Sequence, residues 1–217
     1  GFLITLILKG EARTTNTQVA QIKTILLVKD GFSLLRHNRI LLTLVFLSIL
    51  TLPFWDYFGS LYQPYFQKID VPEYLFGPTL ALANLAAFII SRNIAKIERF
   101  LGAQLTLLAA ILTPGLIYLY LVINHLPTLG ILSVVLFRGS AAMRNPLFSK
   151  YFNQHVASLN RATVLSMISM TASGYTAVMG LIIGALADHW FFGAFLLSGC
   201  LIILAALFFL RKIKFIT

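Results

Sequence analysis

Continuous apolar runs separated by short polar segments make up most of the chain beyond residue 39. Because these runs do not alternate apolar and polar positions, they indicate membrane helices rather than the strands of a barrel. Each run reaches the ~17 residues that a helix needs to cross a bilayer. The pattern therefore predicts an all-α bundle of six transmembrane helices, at residues 40–66, 75–91, 101–123, 128–148, 163–187 and 190–210.

The segments outside this bundle, which occupies residues 40–210, are short and mostly polar. Residues 1–8 are apolar but too short to span a membrane, so we interpret them as the tail of a truncated transmembrane helix in a longer protein. Residues 9–39 are expected to form a cytoplasmic loop. Within it, residues 18–37 have the pattern of an interfacial helix, and a solvated linker helix is the alternative. Residues 211–217 would form a cytoplasmic tail.

Composition and charge support an integral membrane protein and give its orientation. The 217 residues are 59% hydrophobic and 11% charged, whereas soluble domains are about 25% charged. Fifteen of the 17 Lys and Arg residues lie on one side of the spans, the other side carries Lys68, and Arg138 lies within a span. The positive-inside rule places the fifteen, and both chain ends, in the cytoplasm. The net charge of +10 therefore reflects topology and does not indicate nucleic-acid binding.

Two ionisable side chains, Asp56 and Arg138, lie deep within predicted spans. Each lies about ten residues from the outer end of its span, roughly 15 Å deep at 1.5 Å per residue. Charges at this depth are costly unless they face protein or water, so we expect both to face one shared interior. They form either a structural ion pair or a substrate cavity in which Asp56 carries a proton. The polar and aromatic residues assigned to the same cavity are Trp55, Tyr57, Gln63 and Asn84.

The fifth predicted span carries a stripe of small residues spaced three and four positions apart. Such a stripe permits the close approach of another helix. Its members are Ser169, Ser173, Ala177, Gly180 and Gly184.

Signatures of catalysis and of metal binding are missing from the sequence. The four histidines lie in loops or at span ends, far apart, and neither an HExxH nor a GxSG motif occurs. Catalysis within a membrane needs such groups at depth. We therefore expect no enzyme activity, no metal and no cofactor.

Three further segments carry a resemblance to a known family: SRNIAKIERFLG at 91–102, NRATVLSM at 160–167 and GALADHWFFGAFLLSG at 184–199. With the predicted topology, they resemble the C-terminal half of a major facilitator superfamily transporter, spans seven to twelve. The resemblance implies inverted three-helix repeats, with spans seven and ten lining the central cavity, span eleven meeting the other half, and spans nine and twelve facing lipid. It also implies basic cytoplasmic gating loops, to which we assign Arg92, Lys96, Glu98, Arg99, Gly102, Arg144 and Arg161.

The function implied by this resemblance is secondary active transport of a small solute by alternating access. We expect proton coupling and an efflux-like direction, because NRATVLSM is most similar to such members. The implied partners are the bilayer, the solute with protons, and the N-terminal six-helix half, and the implied location is a bacterial inner membrane. An uncoupled facilitator and a non-transporting scaffold or receptor are the alternatives.

Overall fold

The computed structural model describes residues 38–156 and 161–212, and these residues form helices and short connections without a β-strand. The elements are α1 Arg39–Lys68, a 3₁₀ helix Glu73–Leu75, α2 Phe76–Leu101, α3 Ala103–Ile123, α4 Pro127–His155, α5 Arg161–His189 and α6 Phe191–Lys212. Each predicted span therefore corresponds to one helix. The predictions for residues 1–37 and for the end of the C-terminal tail lie outside the described residues.

Five of the described helices are long and apolar enough to cross a membrane: α1, the 3₁₀ helix continued by α2, α3, α5 and α6. Their lengths and compositions are those of an integral membrane protein. The remaining helix, α4, has 29 residues and is about 44 Å long at 1.5 Å per residue. It is less apolar because Arg138, Arg144 and Lys150 all lie on it. The sixth span therefore stays a prediction.

The basic segment 91–102 is helical, and its prediction as a loop is wrong. Helix α2 continues to Leu101, and Gly102 alone separates it from α3. The helix continues because Ile90, Ile94 and Ile97 keep a helical apolar spacing and pack against the core. Gly102 has φ +82°, a conformation that favours glycine and permits this abrupt change of direction.

Helix α4 crosses α1 in the opposite direction. The rings of Phe58 and Phe137 stack at the crossing, with centroids 3.6 Å apart and planes 10° apart. Ten residues before Phe58, Ser48 contacts Arg144, which follows Phe137 on α4. The two helices are therefore antiparallel, and the aromatic stack marks the centre of their contact.

Helices α2 and α4 run side by side in the same direction. A Cβ at Gly139 would lie 2.8 Å from Cδ1 of Ile90, so the backbone of α4 approaches α2 closely here. Further along both helices, Glu98 pairs with Lys150. This parallel pair, together with α1, positions the charged residues of α4.

Helices α3 and α6 cross closely through a glycine on each. A Cβ at Gly115 would lie 2.9 Å from Ile202, and one at Gly199 would lie 3.0 Å from the carbonyl oxygen of Gly115. Tyr118 of α3 also bonds to α1, because its hydroxyl donates to the carbonyl oxygen of Phe54. The core therefore lies between α1, α3, α4 and α6.

Candidate functional site

Arg144 is the arginine that the bundle buries, with only 5% of its surface exposed. Its Nη2 donates to the carbonyl oxygen of Ser48 at 2.6 Å and to the Ser48 hydroxyl at 3.2 Å. Its Nη1 donates to Oδ1 of Asn145 at 3.1 Å. A guanidinium held by such bonds ties α4 to the middle of α1. The assignment of Arg144 to a cytoplasmic loop is therefore wrong, because α4 extends to His155.

Two aromatic rings complete the surroundings of Arg144. Its guanidinium carbon lies 5.2 Å from the ring centroid of Trp55 and 5.2 Å from that of Phe148. Both distances are within the range of cation–π attraction, which is strongest where the cation is desolvated. Among the described residues, Nε of Arg144 and Nε1 of Trp55 have no hydrogen-bond partner. Trp55, which the sequence assigned to a cavity with Asp56 and Arg138, thus contacts Arg144.

Asp56 lies on an exposed face of α1. It forms no ion pair within 4.0 Å in the described part of the chain. Ser60 and Gln63 follow at helical spacing and are also exposed. This polar face is therefore left uncovered by the described bundle.

The guanidinium of Arg138 lies against Gly59 of α1. A Cβ built on Gly59 would lie 3.7 Å from Nη2 of Arg138. The side chain is half-buried. No hydrogen bond or ion pair joins it to another described residue. Gly59 is three positions from Asp56, so Arg138 packs against α1 about one helical turn from Asp56, and the two side chains form no direct ion pair.

Tyr57 faces α5 instead of the arginines. Its hydroxyl donates to the carbonyl oxygen of Thr176 at 2.9 Å, and a Cβ at Gly180 would lie 2.7 Å from its Cζ. Gly180 therefore permits the contact between α1 and α5 within this bundle. The other members of the small-residue stripe lie on an exposed face of α5: Ser169, Ser173, Ala177 and Gly184.

Neither of the two predicted amide residues of the cavity bonds to Arg138 or Arg144. Gln63 is exposed on α1 and donates from Nε2 to the hydroxyl of Tyr62 at 3.0 Å. Asn84 is exposed on α2. Ala86 and Ile90 of α2 face Gly139 of α4, and at 100° per residue Asn84 lies on another side of the helix.

A separate polar cluster holds the ends of α2 and α4 together. Both carboxylate oxygens of Glu98 accept from Nζ of Lys150 at 2.7 Å, and Oε1 also accepts from the hydroxyl of Tyr151 at 2.9 Å. At the end of α4, Arg161 donates to the carbonyl oxygen of Asn153 at 3.2 Å. The other basic residues assigned here, Arg92, Lys96 and Arg99, are exposed along α2.

Sequence reasoning missed the contact between Ser48 and Arg144. The signal was the aromatic series after Arg144, because Tyr151 and Phe152 continue the buried face of α4 beyond Phe148, the predicted end of its span. Comparison with protein families, with curated proteins and with solved structures gives no match to this chain.

Proposed function

We propose that this chain is the C-terminal half of a secondary active transporter of the major facilitator type, which moves a small solute by alternating access. The proposal rests mainly on the charged centre formed by Asp56 and Arg138, where Arg138 of α4 lies against Gly59, three positions after Asp56 on α1. Neither has a direct ion-pair partner among the described residues. Charges kept at such depth without mutual pairing are typical of a solute or proton pathway.

The packing of the helices supports inverted three-helix repeats. If α1, α2 and α3 exchange places with α4, α5 and α6 in that order, the same pairs of helices are in main contact. The contact of α1 with α5 becomes that of α4 with α2, that of α3 with α4 becomes that of α6 with α1, and that of α2 with α3 becomes that of α5 with α6. The contacts of α1 with α4 and of α3 with α6 map onto themselves. Repeats of this kind favour the transporter fold over an unrelated bundle.

The proposed partner of this half is an N-terminal six-helix half packed on α2 and α5. Only 11% of the α2 span and 17% of the α5 span are buried within the described bundle, compared with 50% for α3 and α6. Met170 and Leu181 are more than three-quarters exposed on α5, beside the small-residue stripe. Large uncovered apolar faces of this kind need lipid or another set of helices.

The orientation of the protein in the membrane is proposed from the distribution of its basic residues, and it can be tested separately. We propose that Lys68 lies outside and Lys150 inside, in a bacterial inner membrane, with both chain ends in the cytoplasm. A cysteine introduced at Lys68 should react with an impermeant maleimide in intact cells, and one at Lys150 only after permeabilisation. The reverse result would overturn the topology.

Flux through the full-length protein in proteoliposomes tests the proposed transport. A panel of benzoate, citrate, glucose 6-phosphate, tetraphenylphosphonium and glucose is added with and without a pH gradient, and internal pH is followed with a trapped dye. Solute-dependent proton movement is expected for a coupled transporter. Solute flux indifferent to the gradient would indicate a facilitator, and absence of all flux would favour a scaffold or receptor.

Asp56→Asn, Arg138→Gln and the double variant then test the site itself. Loss of flux in all three is expected if both groups act on the solute or on the proton. Loss in each single variant with recovery in the double would indicate a structural pair. Unchanged flux in every variant would contradict this placement of the site.

A further inference from the structure

Three charged side chains lie ten or more residues from both ends of a described helix, and their charges do not cancel. Asp56, Arg138 and Arg144 together give a net charge of +1. Arg138 lies eleven residues from the start of α4, and Asp56 twelve from the end of α1, or about 16–18 Å from the helix ends. An excess cation at this depth is unfavourable unless an anion or water reaches it.

Arg144 does not need a further anion. It donates to Ser48 and Asn145, and its guanidinium lies over the rings of Trp55 and Phe148. With only 5% of its surface exposed, Arg144 also offers little access to a solute.

Arg138 differs from Arg144 in each of these respects. It is half-buried, and none of its five N–H groups bonds to a described residue. Its guanidinium lies over Gly59, which has no side chain to cover it. The nearby face of α1 carries Asp56, Ser60 and Gln63 and is exposed. The excess positive charge is thus accessible at Arg138.

We propose that the solute of this transporter is an organic anion whose carboxylate or phosphate group binds the guanidinium of Arg138. A planar guanidinium matches the two oxygens of such a group with two parallel hydrogen bonds. The inference rests on the proposed transport function and names its substrate class. Ser60 and Gln63 line the approach and supply hydroxyl and amide groups to the rest of the solute.

Equilibrium binding tests the substrate class separately from transport. The full-length protein is placed in phosphatidylcholine nanodiscs, which contain no anionic lipid, and its Tm is measured with benzoate, citrate, inorganic phosphate, glucose 6-phosphate, choline, tetraphenylphosphonium and glucose. A ligand that binds only the folded protein raises its Tm. We expect an increase with at least one anion and with neither cation nor glucose. Benzoate and citrate report carboxylate binding, whereas the two phosphates report phosphate binding.

Variants of matched charge show whether Arg138 is responsible. Arg138→Gln should weaken anion binding roughly tenfold or more, since each 1.4 kcal/mol is a factor of ten, and Arg138→Lys should weaken it less. Lys68→Gln removes an equal charge at the exposed outer end of α1 and should leave binding unchanged. Equal loss in Lys68→Gln, retention in Arg138→Gln, or the lack of any anion-dependent shift would overturn the inference.

Binding and flux measured on the same variants separate this inference from the proposed function. Anion binding that depends on Arg138, without flux under any gradient, would contradict transport and retain the binding site. Flux of tetraphenylphosphonium or glucose that survives Arg138→Gln would retain transport and contradict the anionic substrate.

Discussion

Two arginines on one helix, six residues apart, have opposite surroundings. Arg144 is enclosed by Ser48, Asn145 and two aromatic rings. Arg138 lies over a glycine with no bond to a described residue. The difference shows that residue type and depth alone do not assign a role to a charge in a membrane. An enclosed arginine holds two helices together, whereas an accessible one is available to a ligand.

The largest expected effect comes from removing the enclosed arginine. Arg144→Gln should lower the free energy of unfolding by about 2–4 kcal/mol, because it removes both ring contacts and leaves the Ser48 carbonyl without this donor. Arg138→Gln should change stability by less than about 0.5 kcal/mol. Thermal unfolding of both variants in one detergent measures the contrast. Equal losses would remove the distinction between the two arginines.

The next effect compares two glycines of α5. Gly180→Leu should cost about 1–3 kcal/mol, because the new side chain meets the ring of Tyr57 and separates α1 from α5. Gly184→Leu should change stability by less than about 0.5 kcal/mol, since a Cβ there meets no described atom within 4 Å.

Transport should distinguish the same two variants in the reverse order, with the effect on flux at Gly184→Leu. If the exposed part of the stripe meets the N-terminal half, Gly184→Leu lowers flux in the full-length protein while its Tm stays near that of the wild type. Normal flux in Gly184→Leu would remove this part of α5 from the proposed contact between halves.

The smallest expected effect is at the ends of α2 and α4. Glu98→Gln should cost about 0.2–1 kcal/mol, because the Lys150 side chain is 47% exposed and surface ion pairs contribute little. The cost should decrease in high salt. Thermal unfolding at two ionic strengths measures it, and a cost that salt leaves unchanged would contradict a solvated ion pair.

The sequence predicted the helices well because each is a long apolar run, and all six occur within a few residues of the expected bounds, apart from the ends of α2 and α4. Those two ends were missed for one physical reason. Basic residues were taken as evidence of a loop, although the apolar face continued through Ile94 and Ile97 on α2 and Phe148 and Tyr151 on α4.

The candidate site was predictable only in part. Asp56 and Arg138 could be identified because a charged residue inside a long apolar run can be recognised from the sequence alone. Which arginine is enclosed depends on the rotation of α4 against α1, and no single sequence pattern reports that angle. Tyr57 and Gly180 show the same limit, because their contact joins residues more than a hundred positions apart.

The central claim is that the face of α1 carrying Asp56 lines a water-filled cavity in the proposed transporter. Cysteines at Ser60, which is exposed on that face, and at Leu204, exposed on α6, test it directly in a protein with Cys200→Ala and no other cysteine. A charged methanethiosulfonate reagent reacts with thiols in water and not with thiols in lipid. We predict rapid labelling at Ser60→Cys and none at Leu204→Cys. Labelling at Ser60→Cys no faster than at Leu204→Cys would contradict the account.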